Sequence, residues 1–151
     1  MGLLAAVLYD PAVAVTKNTT AALAMTALDT VNLRLTFTAP ANGSVLVRLS
    51  GTLHGATTFP QVLLGVMAGT AVRGRVAPQA VVGGTPIATT MAAVEALFVV
   101  TGLTAGSSNV WDAAYGVETV AAATGLKYGG PNNVTANDAF GGFAYEIWNT
   151  A

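Results

Sequence analysis

Residues 31–54 read VNLRLTFTAPANGSVLVRLSGTLH, and this stretch decides the fold class. Val31, Leu33, Leu35 and Phe37 alternate with Asn32, Arg34, Thr36 and Thr38, the period of two by which a strand turns one face to a core and the other to water. Pro40-Ala41-Asn42-Gly43 then turns the chain, because Pro pre-sets φ and Asn-Gly tolerates positive φ. From Ser44 to His54 the alternation resumes, with Val45, Val47 and Leu49 on one face and Leu46, Arg48 and Ser50 on the other. A strand, an Asn-Gly turn and a second strand predict a β-hairpin.

Further along, Gln61 to Ala68 is an unbroken apolar run, as expected of a strand buried on both faces. Arg73 and Arg75 fall on one side of an extended segment, a small basic spot or a solvated edge strand. Gly83-Gly84 breaks the chain before Thr89 to Thr101. Helix competes for the first half of that segment, which is rich in Ala, Met, Leu and Glu, but Phe98-Val99-Val100-Thr101 favours strand. Gly102 to Gly106 is a turn, after which Trp111, Ala113, Tyr115 and Val117 face one way on the next strand. Lys127 to Asn133 reads as loop, and Gly141 to Trp148 as an aromatic strand with Phe143, Tyr145 and Ile147 on one face. Several short strands between Gly/Pro turns predict an all-β antiparallel sandwich.

The first thirty residues carry weaker signals. Gly2 to Tyr9 is apolar with no Lys or Arg before it, and Asp10-Pro11 ends it too early for a secretory signal or a membrane span. Two readings stand: a sticky N-terminal arm on a complete small gene product, or an ordinary first strand. Under the arm reading residues 1–30 form an association segment before a domain at 31–151, and Leu3, Leu4, Val7, Leu8 and Tyr9 contact the partner. Ala21 to Leu28 fits either a short helix or an extended arm.

Composition narrows the function. Six Lys/Arg and seven Asp/Glu make 9% of the residues charged, against about a quarter in an ordinary soluble domain, while 53% are apolar. Such a chain covers itself with neutral polar groups and buries part of its outside against copies of itself or a large partner. A net charge of −1 with dispersed cations offers no field for a phosphate backbone, so nucleic acid is not expected. There is no cysteine, which removes disulfides, thiolate metal sites and thiol nucleophiles.

Candidate chemistry is sparse. His54 is the sole imidazole and reads as a surface or turn residue. Asp112 and Glu118 are too far apart along a strand for a glycosidase pair. Asp112, Asp138, Asn132, Asn133 and Asn137 match no dedicated Ca²⁺ loop and suit turns better. Glu95, in an apolar run, needs an arginine partner if buried, or sits exposed on an outer sheet. Trp111, Tyr115, Tyr145 and Trp148 suit a core or an interface better than a sugar platform. The glycan acceptor patterns at Asn18, Asn42 and Asn133 have no leader to route them. No catalytic residue, metal site or cofactor is expected.

Three stretches, LRLTFTAPANGSVLVRLSG (33–51), VVTGLTAGSSNVWDAAYGVE (99–118) and GGFAYEIWNT (141–150), carry a resemblance. In their pattern of strands and turns, residues 31–151 resemble the jelly-roll sandwiches of tumour-necrosis-factor-like and C1q-like type found in structural proteins of tailed bacteriophages. The resemblance implies an antiparallel jelly-roll β-sandwich assembled as a homotrimer, with no catalytic residues to carry over. It implies a virion protein on the capsid exterior, bound to the major capsid protein as decoration, away from membranes. The alternative is a receptor-binding domain of a tail fibre or tail tip, with loops around Phe59 and Lys127 to Asn133 contacting host glycans. The absence of a coiled coil or repetitive shaft favours the capsid.

Overall fold

The computed structural model describes residues 1–11, 13, 15–17, 21–56, 62–76, 79–82, 90–118, 126–129 and 142–151. Among these the chain is all-β, without helix. In chain order the strands are β1 (Leu3–Tyr9), β2 (Val15–Lys17), β3 (Thr26–Ala27), β4 (Arg34–Thr38), β5 (Val45–Ala56) and β6 (Val62–Ala68). There follow β7 (Ala71–Val76), β8 (Gln79–Val82), β9 (Thr90–Val100), β10 (Ser108–Val117), β11 (Leu126–Tyr128) and β12 (Phe143–Asn149). Two antiparallel sheets face each other as a sandwich. The seven-stranded sheet runs β1-β12-β5-β11-β2, with β9 on β5 and β8 beyond it. In the five-stranded sheet the order is β3-β10-β6-β7, and β4 also pairs with β10.

Alternation in the sequence sets which face is buried. Val45, Val47 and Leu49 of β5, Val94 and Ala96 of β9, and Phe143, Tyr145 and Ile147 of β12 point inward from one sheet. They meet Leu35 and Phe37 of β4, Val62, Leu64 and Val66 of β6, and Trp111, Ala113, Tyr115 and Val117 of β10. Phe37 and Trp111 pack edge to face at 4.8 Å, and Tyr128 and Phe143 at 5.4 Å. Each fully buried large side chain contributes about 1.5–3 kcal/mol. Gly51 lets the Phe143 ring lie against β5, since any Cβ there would run into it. β6 is buried on both faces, as its unbroken apolar run predicts. Part of its outer side is covered by the segment ending in Met25, whose sulfur and the neighbouring Ala24 carbonyl lie against Gly116, in register with Leu63.

The hairpin expected across Pro40–Gly43 does not form. β4 belongs to the five-stranded sheet and β5 to the seven-stranded one, so the turn is a crossover between sheets. A second crossover, from β9 to β10, lies beside it and is bonded to it. Ala39 N–H donates to the Ser107 carbonyl at 2.9 Å, Gly106 N–H to Ala39 at 2.9 Å, and Leu103 N–H to Gly43 at 3.0 Å. The pairs β5–β9 and β4–β10 are therefore one ribbon that bends from sheet to sheet with its bonding kept. Local alternation specifies the strands on either side of the turn but says nothing about which sheet each joins.

The segment over which helix competed is strand from Thr90 to Val100. β9 pairs with β5 over its whole length, and that tertiary contact outweighs the helix propensity of its Ala-rich half. Lys127 and Tyr128, expected in a loop, form β11 between β5 and β2. The opening segment takes the first-strand form rather than that of an extended arm: β1 pairs with β12, and Gly2 accepts from Asn149 N–H at 2.7 Å. Ala21 to Leu28 contains no helix and passes through Leu23, at φ 61°. Both polar groups of Leu23 are held, its N–H by Val117 and its carbonyl by the Arg75 guanidinium at 2.5 Å, which offsets the left-handed strain.

Gly43 has φ 62°, and a Cβ there would collide with the Leu103 carbonyl. Gly43→Ala is expected to destabilise the fold by about 2 kcal/mol or more, because strain and collision act together. Denaturant unfolding measures this, with Gly69→Ala, which has positive φ but open space around it, costing less.

Candidate functional site

The outer face of the seven-stranded sheet is the one extended surface on which exposed apolar and charged side chains form an ordered array among the described residues. Registers place them in cross-strand rows. Leu3 opposes Trp148, Trp148 opposes Leu46, and Leu46 opposes Val99. The next row is Ala6, Glu146, Arg48 and Leu97, and the third is Leu8, Ala144, Ser50 and Glu95. With strands about 4.8 Å apart, the first row spans about 14 Å. Leu97 is 58% exposed, Val99 54%, Leu3 52% and Leu8 72%, a density of outward apolar side chains unusual for a sheet face open to water.

Arg48 lies at the centre. Its Nε donates to Glu95 Oε1 at 2.7 Å, and its Nη1 is 3.6 Å from Glu146 Oε2. Trp148 Nε1 donates to Glu146 Oε2 at 2.9 Å, so the indole plane is fixed beside the carboxylate. The Glu95 hydrogen bond and charge, with Glu146 behind them, raise Arg48 above its ordinary range and keep it cationic. Exposed pairs of this kind contribute little to stability, so the cluster is better read as a charged centre on an apolar face. Of the two readings of Glu95 the exposed one holds: it lies on an outer face, and its pairing with Arg48 is made there at the surface.

The five residues expected at a partner contact do not share a face. Leu3 and Leu8 point outward, whereas Leu4, Val7 and Tyr9 pack against the core. The reason is a register shift between Leu3 and Ala5, which turns Leu4 inward beside Ala5. Spacing alone cannot show such a shift. Arg48, Leu97 and Val99 were missed as site residues, although the outward phase of Leu46, Arg48 and Ser50 was legible. Their meeting depends on β5 lying between β9 and β12, which is a non-local fact.

The other candidates disperse. Asp112 is buried and in register with Arg34, whose Nε donates to Oδ1 at 2.6 Å and Nη2 to Oδ2 at 2.9 Å. Both carboxylate oxygens are thus engaged, and the Asp112 hydrogen bond and charge raise the guanidinium above its usual range. Glu118 is exposed beyond β10. His54 lies within β5, in register with Met91 and Lys127, and its side chain is outside the described residues. No group of three potential metal ligands occurs among the described residues. Asn42 uses its amide on Thr150 Oγ1 and on Ser44 N–H. Phe59, Asn132, Asn133, Asn137, Asp138, the Gly83-Gly84 break and the acceptor patterns at Asn18 and Asn133 lie outside the described residues.

Of the four aromatics weighed for sugar stacking, Trp111, Tyr115 and Tyr145 are fully buried and only Trp148 reaches the surface. The hydroxyls of Tyr145 and Tyr128 are buried without a hydrogen-bond partner in the protein. Burial pushes both phenols well above the ordinary tyrosine range, helped by Asp112 at Tyr145 and by Asp29 and Tyr9 at Tyr128. Comparison of the chain with protein-family models, curated proteins and solved structures finds no match.

A raised phenol pKa means that the folded state keeps a proton that the unfolded chain loses above about pH 10. This contribution is complete below pH 10 and is lost as pH rises beyond it, with a slope of up to about 1.4 kcal/mol per pH unit for each phenol. Tyr145→Phe and Tyr128→Phe are expected to leave stability at pH 7 unchanged or raised by about 1 kcal/mol, and to flatten the alkaline decline. Urea unfolding at pH 7 and pH 11 checks both signs.

Proposed function

We infer that this is a non-enzymatic virion structural protein that decorates the outside of a phage capsid as a homotrimer. The observation that carries the reading is the strand order. β1-β12-β5-β9 faces β4-β10-β6-β7, and this order, with the paired crossovers at Gly43 and Leu103 as bends, supports a jelly roll wound from one long ribbon. That order agrees with the resemblance drawn from residues 31–151. The charge shortage supports assembly, since a chain with 13 charged residues in 151 gains by burying neutral surface against other subunits. The apolar rows around Arg48 offer the major capsid protein a flat face with one charged anchor, the arrangement in which a few central residues carry most of the binding.

The second reading is a receptor-binding domain of the tail. Trp148, fixed beside Glu146 and close to Arg48, favours it, because a half-buried indole at the surface flanked by hydrogen-bonding charges suits a host sugar ring.

The double substitution Leu97→Lys and Val99→Lys separates these readings from a merely structural role. Binding to purified shells stripped of this protein is expected to weaken at least tenfold, roughly 1.4 kcal/mol or more, while Val110→Lys on the other sheet leaves it unchanged. Equal binding by all three proteins would remove this face from the contact. Retention on a host glycan array, lost in Trp148→Ala, with no shell binding would establish the second reading.

A further inference from the structure

A sheet edge presents unpaired main-chain donors and acceptors and accepts another strand unless something blunts it. Four of the edge strands here are blunted. β7 carries Arg73 and Arg75 on its outward positions, and β4 carries Arg34 over only five residues. β8 has four residues, and β2, three residues long, ends in Lys17. β1 is different. Its seven residues, Leu3-Leu4-Ala5-Ala6-Val7-Leu8-Tyr9, contain no charge, no Pro and no Gly, and among the described residues it pairs on one side only, with β12. The register shift affects only its start, and from Ala5 to Tyr9 the pairing with β12 is regular.

We propose that β1 is a strand-addition edge whose occupant is β1 of a second copy of this chain, antiparallel about a two-fold axis. An occupant must supply an extended strand with no charge to desolvate, and it must match the alternation of the edge. β1 meets both conditions for itself. With Val7 on the axis, Ala6 opposes the partner's Leu8 and Ala5 opposes the partner's Tyr9. Solvent-facing side chains then meet solvent-facing ones, and core-facing side chains meet core-facing ones. A shift of one residue breaks this match, so the register is specified. The contact concerns the chain alone and does not rest on the capsid reading. Because the axis is two-fold, it joins the homotrimer proposed above to a second trimer as six copies, and any closed assembly that uses it has an even number of members.

Light scattering after size-exclusion chromatography tests it on the purified full chain. The wild type is expected at an even multiple of 15.1 kDa. Ala6→Lys with Leu8→Lys, which sets like charges opposite one another at two exposed positions, should halve that mass without changing the circular dichroism spectrum. Val110→Lys, exposed on the other sheet, should leave it unchanged. Leu8→Cys places the sole thiol of the chain on the solvent side, one residue from the axis, and should give a covalent dimer with a short bis-maleimide. A wild-type monomer, an odd-numbered assembly, or a mass unchanged by the lysine pair overturns the proposal. If the lysine variant fails to fold, Leu8→Cys decides, and absence of the covalent dimer overturns it.

Discussion

The hydrogen bond from Leu103 to the Gly43 carbonyl, with the Ala39 and Ser107 pair beside it, is where one two-stranded ribbon becomes two facing sheets. Everything else hangs on that bend. It sends β4 and β10 to one layer and β5 and β9 to the other while the main-chain bonds of Ala39, Gly43, Leu103, Gly106 and Ser107 tie the two crossovers together. It also fixes β5 in the middle of its sheet, with β9 on one side and β12 on the other, and so decides which side chains meet on the outer face. Without Gly43 at positive φ, the two crossovers could not approach closely enough to bond.

What was legible in the sequence followed from local period. The alternation around Leu33 to Phe37, the continuous run of β6 and the aromatic face of β12 each specify strand and burial within a few residues. Partner choice was not legible. The turn at Asn42-Gly43 carries the chemistry of a hairpin and serves as a crossover, because that chemistry reverses the chain whichever sheet it enters next. Lys127 and Tyr128 sit next to a Gly-rich stretch and carry no period of their own, yet the open flank of β5 near His54 recruits them as a strand. Asp112 and Arg34, far apart in sequence, become a bidentate pair only through the β4–β10 register. The single inserted residue near Leu4 likewise divides the opening segment between core and solvent.

The outer face of the seven-stranded sheet shows how a chain with so few charges spends them. Arg48, Glu95 and Glu146 gather at its centre, and Arg34 seals Asp112 on the opposite sheet. The surroundings of the central cluster are left to Leu3, Leu46, Leu97, Val99 and Trp148. A monomer gains nothing from that layout, since the exposed ion pairs add little stability and the apolar rows cost solvation. A subunit gains directly, because the apolar rows supply contact area and the central charges supply orientation.

Membership of a virion is the claim on which the functional reading stands. Quantitative mass spectrometry of purified particles from the source of this chain, measured against the major shell protein, tests it most directly. Decoration predicts a copy number comparable to that of the shell subunit. A handful of copies per particle would move the protein to the tail, and its absence from purified particles would contradict the virion reading altogether.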